Sequence, residues 1–241
     1  MTANAKSLTP AGPLMAGAWL DHSADWATLC FDTPRLALSS AVVGGGLAEV
    51  GRWLNLRVSG EPVTESPAET VARLCEARGW HQRTLAMLTA ASMKSLRVRR
   101  ATVHGVVLAV LATTGLGNAR RAGDRAEYRR LGNGSLPPGT INLAVLCDAR
   151  LDPAVMVEMV LTTTEAKAAV LQELDVRSPV SGAIATGTGT DAIAVFGGTG
   201  PAVVQHAGKH TLFGEQLARL TLAAIGDSIR QRGPFDSHHL A

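Results

Sequence analysis

The sequence predicts an α+β fold: a single layered domain with a mixed or antiparallel β-sheet packed against about three main helices. Three observations point there. Apolar, β-branched runs arrive in clusters rather than in regular βαβ alternation. Helix-start signals are few, at Ser66-Pro67, Asp152-Pro153 and Thr211. Finally, the 241 residues show no internal repeat and no interdomain linker, and that length is ample for one core. The expected boundaries are a disordered start over residues 1–13, one domain over residues 14–235 and a loose tail over residues 236–241.

Trp26 to Phe31 and Leu36 to Val43 read as two strands, the second ending in Gly44-Gly45-Gly46. Trp53 to Val58 reads as another. Ser66 then offers an N-cap with Pro67 at the first helical position, and the helix should run to about Arg78 and stop at Gly79. Leu85 to Leu88 reads as a buried strand. Leu96 to Ala112 is the longest β-like segment; Arg97 and Arg99 give its start one wet face, and Val106 to Ala112 should be buried on both. Thr140 to Asp148 forms a strand with Asn142, Ala144, Leu146 and Asp148 on one side. Asn142, at its start, is placed to face a cleft.

Asp152-Pro153 opens a second helix by the same cap-plus-proline device, running to about Leu174. Within it Glu158, Thr162 and Glu165 share one stripe, and Thr163 and Lys167 share a neighbouring one. A helix this apolar is buried, so its Glu and Lys must find partners. Ala183 to Ala185 and Ala192 to Phe196 read as short buried strands flanking Thr186-Gly187-Thr188-Gly189-Thr190-Asp191. A short strand, Ala202 to Gln205, follows. The last helix runs from Leu212 to about Arg232, with Thr211 as N-cap and His210 at its positive end.

Composition excludes several classes. With 46% hydrophobic and 18% charged residues the chain is globular, not disordered. Aromatics are 4%, too few for a stacking platform, and a net charge of +3 demands no polyanion, so no nucleic-acid partner is expected. No apolar run reaches membrane-helix length and no signal peptide is evident, which gives a cytoplasmic expectation and no membrane partner. Cys30, Cys75 and Cys147 are odd in number and lack CxxC spacing, which argues against a disulfide framework or a structural zinc site. The apolar helices are the faces from which a homo-oligomer would be built.

The strong catalytic motifs GxxxxGK[ST], HExxH and GxSxG are absent. What remains is a set of Thr, Gly, Asn and Asp clusters at the ends of apolar strands: Gly44 to Gly46, Thr113 to Asn118, Gly139 to Asn142 and Thr186 to Asp191. Glycine admits close backbone approach, and hydroxyls and amides donate and accept. If these strand ends meet, they line a cleft for a polar, amide-rich ligand.

At these clusters the sequence resembles the adenosylcobinamide amidohydrolase (CbiZ) family of corrinoid-salvage enzymes. The runs that carry the resemblance are SSAVVGGGL, LTAASM, TTGLGNARRAGD, GTIN, TTTEAKAAVLQEL, ATGTGTDAIAV and GKHTLFGE, in order from Ser39 to Glu215. The resemblance implies a hydrolase in which residues 14–235 form the amidohydrolase-like domain. It would cut the amide that joins aminopropanol to the corrin side chain, giving adenosylcobyric acid and 1-amino-2-propanol. A corrinoid substrate and no cofactor follow, with a metal held by His210 and a carboxylate left open. The alternatives are an amidase of the same family for a different natural-product amide and a non-catalytic corrinoid-binding protein.

Amide hydrolysis needs a base, an oxyanion site and a proton for the departing amine. The candidates are Glu165 or Asp191 as base and His210 as rival base or as acid. Lys167, Asn118 or the Gly187 and Gly189 backbone would serve the oxyanion. Thr140 or Thr188 as a covalent nucleophile needs a neighbouring base. Gly44, Gly45, Gly46, Thr114, Asn118, Thr140, Asn142, Thr186, Thr188 and Thr190 are the candidate substrate contacts.

Overall fold

Strand β3, Trp26–Ser39, is the hinge of the architecture. It is one 14-residue strand where the sequence suggested two, because the Asp32-Thr33-Pro34 interruption is absorbed as a bulge. Proline cannot donate to a ladder, and a bulge is where a strand tolerates it. The bend lets one edge of β3 serve two partners. Its first half pairs with β2 (Ala18–His22), which carries β1 (Pro13–Met15). Its second half pairs with a later strand, β12 (Ala192–Phe196). The other edge pairs throughout with β4 (Gly46–Arg57), which is followed by the parallel β5 (Thr84–Thr89).

The structure is a computed structural model that describes residues 13–58, 65–126, 140–231 and 236–238. Most of the expected disordered start, Gly139 with the loop before it, and tail residues 239–241 lie outside the described residues. The remaining main-sheet strands are β6 (Arg97–Val103), β7 (Val106–Thr114), β9 (Ile141–Cys147), β12 (Ala192–Phe196) and β14 (Asp236–His238). They run in the order β3-β12-β9-β7-β6-β14. Parallel and antiparallel pairs mix, the first of the two sheet types expected. Short two-strand ladders join β8 (Ala119–Arg120) to β11 (Gly187–Thr188), and β10 (Arg150–Leu151) to β13 (Val203–Val204).

Two further sequence expectations are corrected here. Leu96 to Ala112 is a hairpin, not one segment, turning at His104 (φ 49°) and Gly105 (φ 79°). Two successive positive φ values are what a tight hairpin needs, and nothing in the apolar pattern announces them. Ala183 to Ala185 forms no strand; it makes only a bridge between Ile184 and Arg177. In the tail, Asp236–His238 lies as a strand parallel to β6.

The curl of the sheet creates the main interior. Leu29, Phe31, Trp53, Leu85 and Met87 from one half face Leu111, Ala144, Leu146 and Phe196 from the other. A buried polar bridge spans the same gap. Asn142 Nδ2 donates to Asn55 Oδ1 (2.8 Å) and to the Leu88 carbonyl (3.1 Å), and Asn55 Nδ2 donates to Thr113 Oγ1 (2.8 Å). The opposite face of β7, β9 and β12 presents Leu108, Val110, Leu143, Val145 and Val195 to helices α2 (Pro153–Glu173) and α3 (Leu212–Arg230). Helix α1 (Pro67–Arg78) covers Leu54, Leu56 and Ala86.

Helix boundaries follow their signals. Ser66 and Glu69 close a capping box on α1, and Gly79 ends it with φ 65°. Thr211 Oγ1 accepts from Gly214 N (2.9 Å) at the start of α3. Asp152 departs from the expectation: it stands at the N-cap of α2 without a side-chain cap bond. Arg97 and Arg99 do not form the expected wet face: they are 7% and 1% exposed, because α3 covers that side, and Arg99 reaches from β6 to Asp227 on α3 (2.7 Å), tying helix to sheet.

Candidate functional site

The Thr186–Asp191 loop meets the Thr113–Asn118 segment, as the strand-end clusters suggested. Thr186 N donates to Arg120 O (2.8 Å), Gly189 N to Asn118 O (3.2 Å), and Ala122 N to Thr186 Oγ1 (2.8 Å). Thr140, opening β9, joins from the third cluster; its Oγ1 lies 2.6 Å from Thr190 O and 2.8 Å from Thr190 Oγ1.

Asp191 is the centre of this knot. Its Oδ1 accepts from Ile141 N (2.9 Å) and Thr188 Oγ1 (2.5 Å); its Oδ2 accepts from Thr188 N (3.0 Å) and from Lys167 Nζ. Lys167 arrives from α2, and both side chains are nearly buried, at 9% and 11% exposed. An ion pair at that depth is screened little by solvent, so its partners hold one another strongly. Gly187 makes the approach possible: a Cβ there would stand 2.3 Å from Asp191 Oδ2 and 2.8 Å from Lys167 Nζ.

The pair opens into a cavity of about 420 Å³. Lys167 and Asp191 lie beside the hydroxyls of Ser39, Ser40 and Thr164, and Leu38, Val157, Val160, Leu161 and Ile193 complete the wall. Ser39 and Ser40 are fixed by bonds to Ile193: Ser39 Oγ donates to its carbonyl (2.9 Å) and Ser40 Oγ accepts from its N–H (3.2 Å). Val157 and Leu161 are 49% and 58% exposed, large apolar surfaces left at the rim. A polar floor with a cationic group and an apolar rim is the usual composition of a small-molecule site.

The other sequence candidates are dispersed. Glu165 lies two residues from Lys167 on α2, hence on the opposite side of the helix. It is exposed and pairs with Lys209. The Glu158–Thr162–Glu165 stripe grips the 207–209 segment before α3: Ala207 N donates to Glu158 (2.8 Å) and Thr162 Oγ1 to Ala207 O (3.4 Å). His210, beside it, is exposed. Asn142 lies in the bridge between the two halves of the curled sheet, 1% exposed, and Thr114 is bonded to Ser228 on α3 (2.7 Å). Gly44 and Gly46 (φ 68° and 90°) turn the chain from β3 into β4; a Cβ on Gly45 would meet Ala41 O at 2.3 Å. Among the described residues no three His, Cys, Asp or Glu side chains gather as metal ligands. No described helix is long and apolar enough to cross a membrane.

The cavity hydroxyls Ser39, Ser40 and Thr164 are not among the sequence candidates. Their signal was present: a Ser pair at a strand end just before three glycines, and a third threonine in a helix that should avoid them.

Comparison with known proteins places the chain in a family. The adenosylcobinamide amidohydrolase family model matches residues 14–235, and the chain belongs to that family. It is 27% identical over 203 residues to the adenosylcobinamide amidohydrolase of Methanosarcina mazei, covering 80% of this chain and 90% of that one. It is 32% identical over 155 residues to an uncharacterized protein of Methanocaldococcus jannaschii, covering 58% of this chain and 60% of the relative's length. A crystal structure of a Pyrococcus horikoshii OT3 protein aligns over 92% of this chain and 80% of its own, with 12% identity and a TM-score of 0.43.

Proposed function

We propose that the protein hydrolyses the amide joining aminopropanol to adenosylcobinamide, releasing adenosylcobyric acid and 1-amino-2-propanol in the salvage of cobalamin precursors. Family membership supplies the substrate class. The observation that carries the chemistry is the Lys167–Asp191 pair at the floor of the hydroxyl-lined cavity.

The cavity, about 420 Å³, suits the aminopropanol arm, and the larger corrin ring stays outside. The exposed faces of Val157 and Leu161 cover the ring's edge, and the hydroxyls of Ser39, Ser40 and Thr164 read the amide. The Lys167 ammonium sits where negative charge grows on the amide oxygen, and charge stabilisation in a dry site is commonly the largest catalytic term. Lys167 also holds a proton for the departing amine. Asp191 is the base and fixes Lys167 in place.

Lys167→Met and Glu165→Gln separate this centre from the exposed alternative. Release of 1-amino-2-propanol from adenosylcobinamide should fall by about 10²–10⁴-fold in the first variant and stay within a few-fold in the second. The reverse ranking would move the centre to the α2–Lys209 side.

A further inference from the structure

We propose that Thr188 is the nucleophile, and that the reaction passes through an ester between the Thr188 hydroxyl and the substrate's acyl group. This rests on the amidohydrolase reading and specifies its chemistry.

A carboxylate offers about four lone-pair positions. Asp191 has four donors on them, two per oxygen. Two donors are peptide N–H groups, which yield no proton at working pH. The third is the Lys167 ammonium. The fourth is the Thr188 hydroxyl, 2.5 Å from Oδ1. No fifth position receives an attacking water, so the nucleophile whose proton Asp191 can take is Thr188 itself. The arrangement is that of an activated nucleophile: hydroxyl, base in hydrogen-bond reach, and a third group orienting the base. The glycines on both sides of Thr188 let other side chains close in: Gly187 admits Asp191 and Lys167, and Gly189 admits the Asn118 amide. Thr188 is half-buried, and the longer contact from Thr190 N to its oxygen is 3.5 Å.

The bonds balance as follows. The Thr188 oxygen bonds to the amide carbon while its proton passes to Asp191. The tetrahedral adduct collapses, the carbon–nitrogen bond breaks, and the amine leaves with a proton relayed from Lys167, which recovers the one held by Asp191. The acyl group is now an ester on Thr188. Esterification also removes the hydroxyl donor from Oδ1, and this vacated position admits the water. That water loses a proton to Asp191 and adds to the ester. Collapse breaks the ester carbon–oxygen bond and returns the proton to Thr188; the acid departs, and its remaining proton passes to the released amine, leaving a carboxylate and an ammonium.

The test uses purified full-length protein with adenosylcobinamide, with and without hydroxylamine, read by mass spectrometry. A covalent ester partitions, so the corrinoid hydroxamate should form at the expense of the acid. Thr188→Val keeps the shape and should lose about 10³-fold or more in turnover, and Thr188→Ser should retain activity within about 10-fold. Turnover at the wild-type rate in Thr188→Val overturns the proposal. Loss of activity in that variant, with neither hydroxamate nor a quenched acyl adduct in the wild type, also overturns it and leaves Thr188 a positioning residue. A wild-type protein that never cleaves adenosylcobinamide refutes the amidohydrolase reading instead. Acetylation by p-nitrophenyl acetate then decides the nucleophile separately: a label on Thr188 that disappears in Asp191→Asn supports it, and an unlabelled Thr188 overturns it.

Discussion

Replacing Gly187 by alanine adds one methyl group and should disable the centre. The φ of Gly187 is not positive, so alanine is allowed by the backbone and the whole effect comes from contact. The new Cβ would stand 2.3 Å from Asp191 Oδ2 and 2.8 Å from Lys167 Nζ. The carboxylate must recede by roughly 1 Å to reach ordinary contact distance. It cannot do so alone, because Thr188 N, Thr188 Oγ1 and Ile141 N hold it. Overpacking of this kind costs about 1–3 kcal/mol. At roughly 2–4 °C per kcal/mol for a chain of this size, the melting temperature falls by about 2–12 °C. A 1 Å displacement of reacting groups costs about 10²-fold in turnover. The control is Gly208→Ala, where an added Cβ meets nothing within 4 Å. Thermal melts and amine-release rates on both variants decide it. Gly187→Ala with wild-type melting and turnover would refute the idea that the Lys167–Asp191 geometry is tightly set.

The ion pair should behave as a coupled unit. Lys167→Met and Asp191→Leu should each cost about 3 kcal/mol or more, with the double variant costing less than their sum; additive losses in urea melts would mean the pair is not coupled. Asn142→Ala should lower stability by about 1–3 kcal/mol, because the buried Asn55 Oδ1 loses its donor from the facing half of the sheet. The KM should not change; a raised KM would return Asn142 to the substrate. Burial pushes the Cys147 thiol up to about 12. The native protein should therefore resist alkylation there at pH 8.5, while the half-buried Cys30 and Cys75 react first. Because this folded value is raised, its stabilising effect is complete below the unfolded thiol's value of 9.0 and drains away as pH climbs from there toward 12. Cys147 labelling that keeps pace with Cys30 would contradict the burial.

Helix ends were legible because they rest on local chemistry: Ser66-Pro67, Gly79 and Thr211 act within one turn of themselves. The mixed sheet was legible from the clustering of apolar runs. The turn at His104-Gly105 was not, since an apolar pattern carries no φ values. Nor was the path of β3, because the bulge at Pro34 only makes sense once two partners share one edge. At the site, the link between the two Thr/Gly loops could be read from residue types. The choice among Glu165, Lys167 and His210 could not. Residues two apart on a helix diverge by about 200°, and only the packing of α2 decides which side meets the Thr186–Asp191 loop. Asn142 shows the same limit. Its side of β9 was read as expected, and that side faces the interior of the curled sheet.

Incubating the purified protein with adenosylcobinamide and following both corrinoid and amine by mass spectrometry tests the central claim most directly. Adenosylcobyric acid and 1-amino-2-propanol should form in equal amounts, and Lys167→Met should abolish both. Tight binding of an intact corrinoid would contradict it and leave a carrier in place of an enzyme.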